Sequence, residues 1–195
     1  MPWTEQRKRR PPQRITEAGL ETAAGRYMQR FWGPAAALHR VLMKRIAASC
    51  TWYGEDPTEA KAMVEALIAR LVDAGVLDDA LVARERARVM HERGLPLRRI
   101  AQRLREKGLA ATHIEAALAT IVEGIQQEEG EEAPDADTVA AQAYARRRRL
   151  GPHRPPDLRA ERRQKDLAAL ARAGFSFDIA RRVIDGPVDG DPLVW

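Results

Sequence analysis

Leu104-Arg105-Glu106-Lys107-Gly108-Leu109 and Leu170-Ala171-Arg172-Ala173-Gly174-Phe175 share one pattern: an apolar residue, a glycine four positions on, and a second apolar residue directly after it. That is the pattern of a helix end. Glycine at this point enters the left-handed conformation without a Cβ penalty, and the next residue folds back onto the apolar residue before it. A further apolar-periodic run follows each glycine: Ile114, Ala117, Leu118 and Ile121 after the first, Ile179, Val183 and Ile184 after the second. Helix, glycine stop, apolar staple and short helix are therefore written twice, with the glycines 66 residues apart.

The same punctuation recurs upstream. Gly75 has Leu71 four before it and Val76 after it; Gly94 has Met90 and Leu95. Pro34 and Pro96 each open a helix, and aligning them places Leu38 on Ile100 and Leu42 on Leu104 at a spacing of 62. Repeats of this period imply stacked supersecondary units. Asp56-Pro57-Thr58-Glu59 is a helix start, with Asp as N-cap and Glu reaching back. Asp78 or Asp79 is expected to cap the following helix, and Ser176 the last. The apolar stripe of the first helix reads Leu20, Ala23, Ala24, Tyr27 and Phe31. β-Branched alternation is almost absent.

The expected fold is all-α: three tandem three-helix repeats, each a small bundle, joined end to end. Residues 1–15 read as a disordered basic arm, 16–75 as repeat 1 and 76–123 as repeat 2. Residues 124–136 read as an acidic linker, 137–185 as repeat 3 and 186–195 as a tail against which Trp195 can pack.

The chain has 195 residues, 45% of them hydrophobic but only 5% aromatic, which suits thin helical layers better than one thick core. Its net charge of +5 is unevenly spread. Residues 1–15 hold five basic and one acidic residue; residues 84–109 hold nine and three. Residues 110–137 hold eight acidic residues and no Lys or Arg, and residues 138–184 hold twelve basic and four acidic. Such segregation implies separate surface patches and an anionic partner. A lone Cys50 fits a reducing compartment, and no apolar run approaches the roughly 20 residues of a membrane span. A cytoplasmic protein is expected.

No catalytic constellation emerges. His39, His91, His113 and His153 lie in separate elements without metal-ligand spacing. The glycines punctuate helices and form no phosphate cradle, and Cys50 lacks an activating base nearby. Neither enzyme chemistry nor a cofactor or metal is expected. The basic stretches are the candidates: Arg98, Arg99, Arg103, Arg105 and Lys107; Arg146, Arg147, Arg148 and Arg149; Arg162, Arg163 and Lys165; Arg181 and Arg182. A single such run is ordinarily a solvated face, but residues 138–184 carry few compensating acids. Backbone-directed binding of phosphates, falling with salt, suits them.

Gly75-Val-Leu-Asp-Asp-Ala-Leu-Val-Ala83, Arg93-Gly-Leu-Pro-Leu-Arg-Arg-Ile-Ala-Gln-Arg-Leu-Arg-Glu-Lys-Gly-Leu109, Ile114-Glu-Ala-Ala-Leu118 and Leu170-Ala-Arg-Ala-Gly-Phe-Ser-Phe-Asp-Ile179 together resemble the RecX family of bacterial RecA modulators. The match spans roughly residues 70–185. The first third departs from it, with Phe31-Trp32-Gly33-Pro34 where the family has a Ser-containing turn. The resemblance implies an elongated, curved, non-enzymatic molecule that docks on a RecA–DNA filament and modulates, in the inhibitory direction, filament assembly, ATP hydrolysis and strand exchange in recombination, DNA repair and the SOS response; a monomer is expected. Contacts to single- and double-stranded DNA would run through the backbone. The competing reading is a free-standing helical nucleic-acid-binding module with no recombinase partner.

Overall fold

The computed structural model describes residues 10–129 and 133–187. The described residues form nine α-helices, one 3₁₀ turn and no strand. Two compact units divide the chain, Met1–Asp79 and Ala80–Trp195.

In the first unit, α1 (Glu17–Arg30), α2 (Ala35–Tyr53) and α3 (Thr58–Asp73) surround one core. Thr16 caps α1, its hydroxyl accepting from Gly19 N at 3.1 Å. Asp56 caps α3 as its sequence position predicts, accepting from both Thr58 N and Thr58 Oγ1; these bonds hold its carboxyl below the usual value. Leu20, Leu38, Leu42, Ile46 and Val64 are the buried centre. Phe31 departs from the expected inward stripe: it is 54% exposed, because the chain leaves the helix there in extended geometry. The core also reaches one residue past the stop. Val76 bonds back to Leu71 but stays exposed, and the buried residue is Leu77.

The stretch expected as a disordered basic arm is described from residue 10 onward. Residues 10–15 lie on α2: Tyr53 Oη donates to Pro12 O at 2.9 Å, Arg45 donates to Gln13, and Arg14 pairs with Glu55. The remainder of that arm, residues 1–9, lies outside the described residues, as do Trp195 and the rest of 188–195.

The second unit holds two cores. One joins α4 (Asp79–Glu92), α5 (Leu97–Glu106) and α6 (Ala111–Glu129) around Val82, Ala87, Ile100, Leu104 and Ile114. The other joins α7 (Ala136–Arg148), the 3₁₀ turn (Gly151–His153), α8 (Pro156–Ala173) and α9 (Phe177–Asp185) around Ala141, Leu150, Leu167, Leu170 and Ile184. With the first unit this makes three three-helix bundles, each with its own core. α6 continues to Glu129, into the segment 124–136 expected to be the linker. The run Ile125-Gln126-Gln127-Glu128-Glu129 is rich in good helix formers, which outweigh the single Gly124.

The two glycine stops behave as read. Leu109 N bonds Leu104 O at 3.2 Å and Gly108 N bonds Arg105 O at 2.8 Å; Phe175 N bonds Leu170 O at 3.2 Å. Both bonds at Gly108 belong to a Schellman end, and Leu109 and Phe175 are buried against the turn they close. The same closure ends α7, where Leu150 N bonds Ala145 O at 2.9 Å, but the left-handed residue is Arg149, with φ 52°.

Candidate functional site

The second and third bundles meet within the second unit through four side-chain and backbone devices. His91, buried at the end of α4, donates Nε2–H to Ala136 O at 2.7 Å. Asp137, in the first turn of α7, accepts from Leu97 N at 2.7 Å and so caps α5. α5 begins at a proline and has no capping side chain of its own, so a carboxylate from the next bundle satisfies its free amide. Gly94 runs against α7 so closely that a Cβ there would lie 2.6 Å from Tyr144 N. Arg147 donates to Arg93 O at 2.6 Å.

The same capping appears in the first unit, where Asp79 Oδ1 accepts from Ala35 N at 2.8 Å. Of the two residues expected to cap α4, Asp78 or Asp79, the Asp79 carboxylate is thus turned to α2. Pro34 and Pro96 leave their helices equally uncapped, and an aspartate more than forty residues on serves the first and one forty on serves the second.

The junction encloses a groove of about 550 Å³. Arg93 and Leu95 close one end, and Arg99, Gln102, Arg103 and Glu106 of α5 form one wall. Tyr144, Arg147 and Arg148 of α7 and Ala169, Arg172 and Ala173 of α8 form the other. Among the described residues, six guanidinium groups thus line it against one carboxylate, and Gln102 Nε2 donates to that carboxylate at 3.0 Å. The Arg148 guanidinium lies 5.1 Å from the Tyr144 ring centroid, a cation–π contact that holds it along the wall. Tyr144 in turn meets buried Phe175 edge-on, centroids 6.1 Å apart. Arg103, Arg147, Arg148 and Arg172 all sit in last turns of their helices, where the negative end of the macrodipole offsets their mutual repulsion.

One buried aspartate fixes the far wall. Asp166 is 1% exposed and accepts from Arg154 Nε at 2.6 Å, Arg154 Nη2 at 2.7 Å and Gly151 N at 2.9 Å. Burial alone would push its carboxyl up. The Arg154 and Gly151 bonds, with the charges of Arg154 and Arg162, outweigh that and leave it below the ordinary value. Arg159 adds bonds to Arg154 O and Pro152 O, so the α7–α8 loop is tied down on both sides.

The structure sorts the candidate residues. Arg99, Arg103, Arg147 and Arg148 come together in the groove. Arg98, Arg99 and Arg105 share a neighbouring depression with Gln102, and Arg98 reaches Gly174 O at 3.4 Å. Arg149 is exposed but has left the helix, in the left-handed region at the end of α7. Lys107 and Arg146 are exposed and outside the groove lining. So are Lys165 and Arg181.

Three other cations are engaged locally. Arg163 pairs with Asp185 in a fork at 2.7 and 2.6 Å, holding that carboxyl low; Arg162 lies 3.3 Å from Glu161, and Arg182 lies 3.6 Å from Asp135. Asp166, Asp185 and Asp135 engage Arg154, Arg163 and Arg182, three of the twelve cations in residues 138–184. Arg93 and Arg172 are groove residues the sequence reading did not select. Their signal was position, next to and two before the glycine stops Gly94 and Gly174.

Such a groove can grip phosphate or carboxylate groups through planar guanidinium forks. Among the described residues no cluster of His, Cys, Asp or Glu could hold a metal ion, and no helix is long and apolar enough to cross a membrane.

Comparison with known proteins gives a consistent result. Residues 78–118 match the family model described as RecX, second three-helix domain. The regulatory protein RecX of Myxococcus xanthus is 41% identical over 175 residues, covering 89% of this chain and 88% of that protein. The regulatory protein RecX of Agrobacterium fabrum is 34% identical over 128 residues, covering 66% of this chain and 62% of its own length. A crystal structure of a regulatory protein RecX superposes with a TM-score of 0.56 at 21% identity, covering 87% of this chain and 72% of the other, a likeness of fold.

Proposed function

The chain belongs to the RecX family, and from that premise we propose that it is a non-enzymatic regulator that binds the RecA recombinase or its DNA filament. On this reading it lowers filament assembly, ATP hydrolysis and strand exchange. The observation that carries the proposal is the groove between the second and third bundles, where six arginines face one carboxylate. Backbone phosphates of filament-bound DNA, or carboxylates on the recombinase surface, satisfy those cations without sequence readout. The residues assigned to this contact are Arg93, Arg99, Arg103, Arg147, Arg148 and Arg172, with Arg98 and Arg105 at its edge.

Filament ATPase and strand exchange, measured with purified protein at stoichiometric amounts, test it. Suppression is expected, and no effect sinks the proposal. Charge reversal of Arg99 and Arg103 is expected to abolish the suppression while leaving helicity unchanged. The competing module reading predicts DNA binding of equal strength with and without recombinase, so a titration at two salt concentrations in both settings separates the two.

A further inference from the structure

The first unit carries a second cationic groove, of about 770 Å³ and independent of the one above. Among the described residues its lining includes Arg14, Arg26, Arg30 and Arg45 and no carboxylate. Arg14 is engaged by Glu55, outside the groove lining. Among the described residues Arg45 bonds the uncharged Gln13 amide oxygen and forms no ion pair. No ion pair among the described residues involves Arg26 or Arg30.

The lining is also aromatic. Tyr27 and Phe31 stand four residues apart on α1 and at its end, ring centroids 5.3 Å apart. Tyr27 is half-buried against the core, whereas Phe31 is 54% exposed. Arg26-Tyr27 and Arg30-Phe31 are one dyad written twice at a four-residue step; Arg26 and Arg30 lie one turn apart on α1, and the Phe31 ring, just past the helix end, lies beside that of Tyr27. Arg30 lies 5.8 Å from the Phe31 ring centroid, tying the cationic pair to the aromatic one.

A folded chain gains nothing by leaving a phenylalanine in water beside uncompensated cations. A ligand that satisfies both pairs has flat apolar faces and a negative charge recurring beside them. We propose that this groove binds single-stranded DNA, with a base stacked on Phe31 and backbone phosphates on Arg26, Arg30 and Arg45. A duplex hides its base faces and would use the arginines alone. Stacking on an aromatic side chain is tolerant of base identity, so the site reads strandedness and not sequence.

The test uses the full chain and a fluorescent oligothymidylate, with an abasic oligomer of equal length as the phosphate-only control. Phe31→Ala is expected to weaken oligothymidylate binding roughly 5- to 100-fold and leave the abasic oligomer unchanged. Phe31→Tyr retains wild-type affinity. Arg26→Ala with Arg30→Ala weakens both oligomers and flattens the salt dependence. Equal loss on both oligomers with Phe31→Ala, or no loss on either, overturns the proposal. So does a poly(Glu,Tyr) copolymer that outcompetes oligothymidylate for the wild-type protein, which would mark a peptide site. No recombinase enters this assay, so its failure leaves the filament reading intact, and failure of the filament reading leaves this one intact.

Discussion

Asp166→Asn is nearly isosteric, and its consequence follows from the three bonds the carboxylate accepts. Two are charge-assisted bonds from Arg154 and the third is from Gly151 N. Asparagine keeps one oxygen acceptor but turns an NH₂ toward a guanidinium, so one charge-assisted bond is lost and two donors face each other. Breaking one side of a buried ion pair costs about 3–5 kcal/mol. Here the Arg154 side chain is 25% exposed and recovers some hydration, which puts the cost near the lower end, about 3 kcal/mol. For the second unit that is a fall in melting temperature of roughly 10 °C or more.

Calorimetry of the full chain reads this, and a double-mutant cycle with Arg154→Met isolates the pair. A coupling of about 1.5–3 kcal/mol is expected, since the second substitution removes the charge that the first orphans. Additive effects, or a loss under about 0.5 kcal/mol for Asp166→Asn, would refute the claim that this pair holds the loop. The pH dependence has a fixed sign. Asp166 titrates below its ordinary 3.8 when folded, so its contribution is fully present above 3.8 and is lost as pH falls through the lowered native value. The gap between wild type and variant should stay flat from about pH 5 to 8 and close below 3.8.

Gly94→Ala places a Cβ 2.6 Å from Tyr144 N at φ +80°, so strain and overpacking should together cost about 2–4 kcal/mol in urea unfolding and widen the groove. Asp137→Ala removes the borrowed cap of α5 and should cost about 1 kcal/mol, read as faster amide exchange at Leu97. Arg149→Gly relieves a left-handed arginine at φ 52° and should raise stability by about 0.5–1 kcal/mol in the same unfolding assay.

The helix ends were legible because they are local chemistry. Gly108, Gly174, Asp56 and Ser176 each act within five residues of their partner, and all behave as the sequence pattern predicts. What the sequence hid is non-local. Asp79 serves Ala35 and Asp137 serves Leu97, at separations of 44 and 40 residues that no capping pattern encodes. The arginines divide for the same reason. Arg154 meets Asp166 twelve residues on and Arg163 meets Asp185 twenty-two on, spacings outside the helical i,i+4 rule, so a running charge count treats them as free. Phe31 was placed inward because it continues a 3.6-residue period, but α1 ends at Arg30 and the period no longer governs where its ring points.

That division of the arginines also explains how a cationic groove survives in a small helical fold. Arg154, Arg159 and Arg163 are consumed in holding α7, α8 and α9 together, by carboxylates or by backbone carbonyls. The groove arginines instead project mainly from helix C-terminal turns, where the backbone carbonyls supply the counter-field that carboxylates supply elsewhere. This arrangement has a consequence for binding. Helix C-termini repel anions, so the walls without their guanidinium groups would disfavour the ligand that the intact groove attracts. The arginine side chains therefore set the sign of the site as well as its strength, and losing two or three of them should weaken anion binding more steeply than a simple count of contacts implies.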